Sequence, residues 1–209
     1  MPVLPEEHDL AALLAGRVVE VAPRLLGALV RHGDVTVRLT EVEAYDGPND
    51  PGSHAYRGPT PRNAVMFGPP AHLYCYFTYG MHVCANVVTG ADGDPSAVLL
   101  RAGEVVAGHD TARDRRPGAR DRDLARGPAR LCRALGIGLE HNGSALADGP
   151  VRLEPAAPVA SVSTGPRVGL RLAPERQWRF WATDDPTVSS YRPAAPLGRR
   201  RSRAPRDLD

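Results

Sequence analysis

Between residues 35 and 45 apolar and polar side chains alternate, so that Val35, Val37, Leu39, Glu41, Glu43 and Tyr45 share one face of a predicted strand. Two strand residues span roughly 6.6 Å, which sets the separation of Glu41 and Glu43 along that face. Both follow three apolar residues, and the strand is expected to run from the core into a site. Upstream, residues 9–15 read as a short helix ended by Gly16, and residues 23–30 as a second, apolar helix. Residues 48–61, dense in Gly, Pro, Asn and Ser, form a loop. Two β-rich runs, His72–Tyr79 and His82–Val88, flank Gly80-Met81 and predict a hairpin. Residues 97–102 form another apolar strand with Arg101 at its end. Gly127-Pro128 opens a helix with proline in its first turn; Leu131 and Leu135 lie one turn apart, and Gly136 stops it. Beyond Gly149 short strands are expected around 151–153, 167–172 and 178–182. With no repeat and no clear boundary, this pattern gives one mixed α+β domain over residues 1–191. A basic Pro/Arg-rich tail, expected to be mobile, follows at 192–209.

Composition narrows the chemistry. All 26 basic side chains among the 209 residues are arginine. Without lysine, phosphate-loop lysines, pyridoxal sites and side-chain Schiff bases are excluded. The only amine left is the N-terminus, which belongs to Pro2 if Met1 is removed. A chain of this length makes one domain or two small ones and buries about 70% of its unfolded surface, enough for a core without staples. The three cysteines, Cys75, Cys84 and Cys132, form no C-x-x-C pair, are too few for a four-cysteine cluster, and are odd in number. No export signal or long apolar run is visible, so a soluble cytoplasmic protein is expected. The formal net charge is only +2, yet it is segregated: residues 101–133 hold nine arginines against five acids, and residues 192–209 six against two. Such basic segments fit a polyanion partner, or else a solvated loop at 110–126 and a loose end.

Two segments carry candidate chemistry. In Thr40-Glu41-Val42-Glu43-Ala44-Tyr45, a carboxylate at the end of an apolar face is either a base, with the raised pKa that burial confers, or an ordinary rim glutamate. In Leu73 to His82, four of the eleven aromatic residues of the chain come together. Alternation puts Tyr74 and Tyr76 on one face and Phe77 with Tyr79 on the other. A large ring at a hairpin tip, as at Tyr79, serves either as a wedge between stacked bases or as an anchor folded back on the core. Other motifs are weaker. Gly136-Ile137-Gly138 resembles a helix-hairpin-helix element, but a glycine cap after a helix explains it better. None of the seven histidines forms H-x-x-x-H, and no metal is expected. His8, His32, His109 and His141 read as surface residues. An acidic cluster of Asp92 and Asp94 with Glu41 and Glu43 is the remaining metal candidate.

The ordered set Glu43-Ala44-Tyr45, His54, Thr60-Pro61-Arg62-Asn63, Met66-Phe67, Leu73 to Met81, Asn86, Val98-Leu99-Leu100-Arg101 and Gly127-Pro128 resembles the alkyladenine (3-methyladenine) DNA glycosylase family. The similarity runs from about Ala22 to Ser189 and takes in Arg167-Val168-Gly169-Leu170 and Trp178-Arg179-Phe180. It departs at Pro59, where relatives carry a basic or polar residue, and at Gln177 and Trp181, where Pro and Tyr are common.

The resemblance implies a curved, mainly antiparallel sheet flanked by short helices, with a hairpin that enters the DNA minor groove. It implies that Glu43 activates a water for attack on the sugar, with Arg101 holding that water and pairing with the Glu43 charge. Tyr45 and Tyr76 would clamp an extruded base, His54 would complete the wall, and Asn86 would exclude the exocyclic amine of guanine. Tyr79 would fill the gap left in the duplex, and Arg62, Met81 and His82 would touch DNA. No cofactor is implied. The partner is double-stranded DNA containing damaged purines, met by a monomer associated with the nucleoid. The expected activity is monofunctional, because no lysine exists to form an imine. The alternative is a non-catalytic binder of damaged DNA that keeps the same aromatic clamp.

Overall fold

The structure, a computed structural model, describes residues 10–78 and 80–194. Tyr79 and nearly all of the basic tail therefore lie outside the described residues. One antiparallel sheet of nine described strands is built around β2 (Val35–Tyr45). On one side of β2, β1 (Leu29–His32) pairs with its first half and β9 (Arg179–Ala182) with its second. On the other side lies β5 (Ser96–Ala107), followed by β4 (His82–Thr89) and β3 (Leu73–Thr78). β7 (Val151–Glu154) extends the sheet beyond β1, while β6 (Ala125–Arg126) pairs with β5 and β8 (Val162–Gly165) with β9. Among the described residues four short helices accompany the sheet: α1 (Leu10–Leu14), α2 (Val18–Val21), α3 (His109–Arg115) and α4 (Pro128–Leu135). Among the described residues no helix is long and apolar enough to cross a membrane.

A period of two sorts the strands into a core face and a site face. Leu73 and Cys75, Ala85 and Val87, Val98 and Leu100, and Val42 and Ala44 enter the main apolar core. The residues between them, including Tyr74, Asn86, Leu99 and Glu43, look the other way. α4 covers the core face, burying Leu131, Cys132, Ala134 and Leu135. It ends where the sequence predicts, at Gly136, whose φ of 75° is the left-handed geometry of a helix stop.

In β2 the phase changes midway, which corrects the simple alternation. Val35, Val37 and Leu39 face the core, but so do Val42 and Ala44. Glu41 and Glu43 therefore lie on the face opposite the three apolar residues that precede them. The cause is a paired irregularity: Leu39 opposes Gly103 and Val42 opposes Leu100, while Thr40 of β2 and Arg101 of β5 drop out of the ladder. Gly103 is required there, because a Cβ at that position would meet the Arg38 carbonyl oxygen and Val37 Cγ1. Arg101 thus sits inside a long strand and not at the end of a short one.

Other expectations are also corrected. The helix expected at 23–30 lies earlier, in α2 and a 3-10 turn over Ala22–Leu25, because residues 29–32 find a sheet partner on both sides. Residues 167–172 form turn and irregular backbone, and the strand before β9 is β8 instead. Residues 110–126 are not a solvated loop: they hold most of α3, a 3-10 turn at Asp121–Asp123 and β6, laced by Arg113 to Asp121 and Arg120 to Asp123 pairs. His141 is buried and His32 half-buried. Gly138 N–H donates to His141 Nδ1, His141 and His32 share a contact between their Nε2 atoms at 3.2 Å, and His32 Nδ1 donates to the Leu135 carbonyl at 2.8 Å. The three cysteines are free and buried.

Candidate active site

The site begins as one rung across the sheet. Tyr74 of β3 opposes Asn86 of β4, Asn86 opposes Leu99 of β5, Leu99 opposes Glu43 of β2, and Glu43 opposes Arg179 of β9. Side chains of this rung and its neighbours floor a cavity of about 320 Å³, within the range of small-molecule pockets. Six residues singled out in the sequence line it together: Glu43, Tyr45, His54, Tyr76, Asn86 and Arg101. They come from four strands and one loop, and only the fold brings them into reach of one another.

Glu43 is fully buried, and every contact it makes is a donor to a carboxylate. Tyr45 O–H donates to Oε2 at 2.8 Å, Val168 N–H donates to Oε1 at 2.7 Å, and Arg101 Nη1 lies 3.3 Å from Oε1. An ionised carboxyl offers about four acceptor sites, so Oε2 keeps room for a further donor such as water. Arg101 is shared: its Nε donates to Glu41 Oε1 at 3.0 Å, and its Nη2 to Ser189 Oγ at 3.3 Å. Burial works against the Arg101 charge, but Glu43 and then Glu41 overcome it and raise its pKa above that of ordinary arginine.

Glu41, by contrast, does not line the cavity. Its Oε1 accepts from both Arg101 Nε and Arg179 Nε, and its Oε2 from Ser189 N–H. Of the two glutamates singled out in the sequence, one floors the pocket and the other clamps the residues behind it.

Aromatic rings make the walls. The Arg167 guanidinium lies 4.7 Å from the Tyr45 ring centre and is itself anchored on fully buried Asp50, to which Nη2 donates at 2.8 Å. Burial, followed by the Glu43 charge, pushes the Tyr45 phenol well above its usual pKa, so the ring keeps its proton. His54 stands edge-on to Tyr76 with ring centres 4.5 Å apart, and its Nδ1 is 3.0 Å from the Tyr74 hydroxyl. Burial, helped by nearby Arg62, lowers the His54 pKa below 6.5 and leaves the imidazole neutral at physiological pH. Asn86 is buried, with Nδ2 donating to the Tyr74 carbonyl at 3.0 Å.

The remaining candidates lie outside the pocket. Arg62 sits at its rim, with Nη2 donating to the Phe77 carbonyl at 3.0 Å and its guanidinium 5.6 Å from the Tyr76 ring centre. Met81 and His82 are exposed beside the hairpin turn. The role expected of Tyr79 falls on a residue outside those described. Among the described residues no group of three His, Cys, Asp or Glu could hold a metal ion, so Asp92 and Asp94 do not join Glu41 and Glu43 in one. Sequence reasoning missed Asp50, Arg167, Arg179 and the Val168 N–H, all parts of the buried frame. Only the Arg167-Val168-Gly169 and Trp178-Arg179-Phe180 segments hinted at them.

A slot walled by aromatic rings and floored by a buried carboxylate–guanidinium pair fits a planar ligand with acid–base chemistry at its edge. Comparison with known proteins gives the class. Residues 12–186 match the family model described as Methylpurine-DNA glycosylase (MPG), and the chain belongs to that family. Members are DNA glycosylases, hydrolases of N-glycosyl bonds that act on DNA. Relatives whose names assign them as 3-methyladenine DNA glycosylases come from several bacteria. The chain is 56% identical to one from Nocardia farcinica, with 88% of this chain and 92% of that one covered. It is 52% identical to one from Cutibacterium acnes, covering 86% and 98%. It is 54% identical to one from Streptomyces avermitilis, covering 88% and 91%.

Proposed function

We propose that the protein excises alkylated purines of the 3-methyladenine type from duplex DNA, with Glu43 activating the water that attacks C1′ of the sugar. The observation that carries this reading is the Glu43 carboxylate. It is fully buried at the pocket floor, braced by Tyr45, Val168 N–H and Arg101, and keeps acceptor capacity on Oε2. A binder without catalysis has no use for a charged group buried at such cost. The target nucleotide is extruded, and its base stacks between Tyr45 and Tyr76. Stacking on aromatic rings yields about 1–3 kcal/mol per base, comparable to the few kcal/mol that extrusion costs. Tyr79 fills the vacated space in the duplex, and Asn86 occupies the position that the exocyclic amine of guanine would need.

An N-alkylated purine carries positive charge and leaves without a strong acid. The protein has to supply the pocket, the water and charge stabilisation for an oxocarbenium-like sugar, as in other glycoside hydrolyses. A neutral His54 can hydrogen-bond the departing base but has no spare proton to give. With no lysine in the chain, the abasic sugar meets no side-chain amine, and hydrolysis without strand cleavage follows. Single-turnover assays on duplexes with defined lesions test all of this. Free 3-methyladenine and an intact abasic strand are expected, with no protein trapped on the abasic duplex by borohydride. Tight lesion binding without base release would establish the non-catalytic alternative.

A further inference from the structure

Arg167 is among the largest fully buried side chains, and its counter-charge, Asp50, is fully buried with it. Nη1 and Nη2 grip the two carboxylate oxygens of Asp50, and Gly52 N–H donates to Oδ1 at 3.0 Å. An ion pair this deep is weak evidence for stability, because apolar residues of similar volume often serve the fold as well or better. One guanidinium donor, Nε, is buried without an acceptor, which a purely structural tie would avoid. The place of the pair gives it another use. Asp50 belongs to the loop that brings Gly52, Ser53 and His54 to the pocket, and Arg167 precedes Val168, Gly169 and Leu170, which line it from a second segment. A Cβ on Gly52 would lie 2.5 Å from Leu170 Cδ2 and 3.0 Å from Arg167 Nη2, so the two segments press together where the pair joins them.

Beyond Asp50, Arg167 reaches the stretch Glu43-Ala44-Tyr45. Its Nη1 donates to the Ala44 carbonyl at 2.9 Å, and Ala44 N–H donates to the Trp178 carbonyl at 2.8 Å, so both peptide groups flanking Ala44 are held. The guanidinium lies over the Tyr45 ring at 4.7 Å and over the Trp178 ring at 5.2 Å. Tyr45 lines the pocket and Arg167 does not, so the ring face it covers is the one turned away from the cavity. The next residue, Val168, donates its N–H to Glu43 Oε1 at 2.7 Å, and Tyr45 O–H reaches Oε2 at 2.8 Å. Ring and carboxylate are both referred to one buried guanidinium.

We infer that Arg167, backed by Asp50, is a positioning residue for excision: it fixes the Tyr45 ring and the Glu43 carboxylate relative to each other, so that a base stacked on Tyr45 presents its sugar to the water at Glu43. The inference rests on the glycosylase reading of the pocket. Its role requires the planar fork. Arginine makes paired bonds to a carboxylate and lies flat on rings, whereas a lysine ammonium keeps the charge and loses both.

Two variants separate positioning from structure. Arg167→Lys keeps a cation beside Asp50, and the double replacement Asp50→Leu with Arg167→Met exchanges the pair for apolar volume. Both should fold, as read from thermal melts. Misplacing a reacting group by about 1 Å can cost about 100-fold, so both should release 3-methyladenine about 10- to 100-fold more slowly in single turnover at saturating protein. Each rate is referred to protein that binds the lesion duplex, so a partly unfolded preparation does not disguise the result. Lesion affinity should fall less than the rate, because the Tyr45 ring is still present to stack. In a Glu43→Gln background, where the water has lost its base, Arg167→Lys should slow release by less than about threefold more. A role in folding alone would repeat the same factor in both backgrounds. A wild-type rate in either variant, or the full loss repeated beside Glu43→Gln, overturns the inference. A loss confined to affinity makes Arg167 a binding residue and also overturns it. No base release by wild type would count against the glycosylase reading itself, whereas release by wild type that the variants match counts against the positioning role alone.

Discussion

Glu41 and Glu43 stand two residues apart on the same face of one strand, and their surroundings separate them. Glu43 meets the pocket, whereas Glu41 is enclosed by Arg101, Arg179 and the Ser189 N–H. Glu41 therefore holds Arg101 in place and does not line the pocket. Removing one partner of a buried ion cluster leaves charge without compensation, so Glu41→Ala should cost about 3–5 kcal/mol of stability, read from urea unfolding. The pH dependence has a definite sign. Burial pushes the Glu41 pKa up, but Arg101 and Arg179 together pull it below the ordinary 4.5. A carboxylate depressed in the folded state contributes stability that is complete above 4.5 and lost as pH falls through the lower folded value. The urea midpoint of Glu41→Gln should accordingly change less than that of wild type between pH 5 and the acid range. At this scale the sequence was informative about residue types. The pair of glutamates and the tyrosines of the hairpin stand out by spacing, but which glutamate faces the pocket depends on contacts more than a hundred residues away, such as Arg179 to Glu41 and Arg167 to Asp50.

At the scale of elements, β2, the hairpin of β3 and β4, and α4 were legible, because each has a clean period and a marked stop. The paired irregularity at Thr40 and Arg101 was not. A bulge has no signature in alternation except a change of phase, and in β2 the polar Glu41 and Glu43 disguise that change as the continuation of one face. Gly103 is the residue that betrays it. Gly103→Val would drive a side chain into the Arg38 carbonyl and Val37, and overpacking of this kind costs about 1–3 kcal/mol. Because the same irregularity sets Arg101 on the site face, excision by this variant should fall further than the loss of folded protein explains. Thermal melts and single-turnover rates on one preparation separate the two losses. The strand expected at 167–172 failed for a related reason. Arg167 is spent on Asp50 and the Ala44 carbonyl, and Val168 N–H on Glu43, so the backbone there serves the site and not a ladder.

For the whole molecule, charge distribution matters more than net charge. Acids and arginines nearly cancel in number, yet a second cavity beside the pocket is lined by Arg101, Arg126, Arg130 and Arg192 and by no carboxylate, and more arginines follow in residues 195–209, outside those described. Deleting 195–209 should weaken binding to undamaged duplex and flatten its salt dependence, leaving excision at saturating protein unchanged. Titrations at several salt concentrations check this, and an unaltered slope would mean that the segment makes no phosphate contact. The family was legible from ordered motifs spread over most of the chain, while the frame holding them, assembled from Asp50, Arg167 and Arg179, became visible only in three dimensions. In the proposed mechanism a buried glutamate, set on the site face by a sheet irregularity, drives hydrolysis of a purine glycosidic bond. Glu43→Gln keeps the shape of the pocket and removes the proposed general base, a group that typically contributes about 10²- to 10⁴-fold in rate. Its single-turnover excision of 3-methyladenine from duplex DNA should fall by that factor with lesion affinity retained; excision at the wild-type rate would contradict the account.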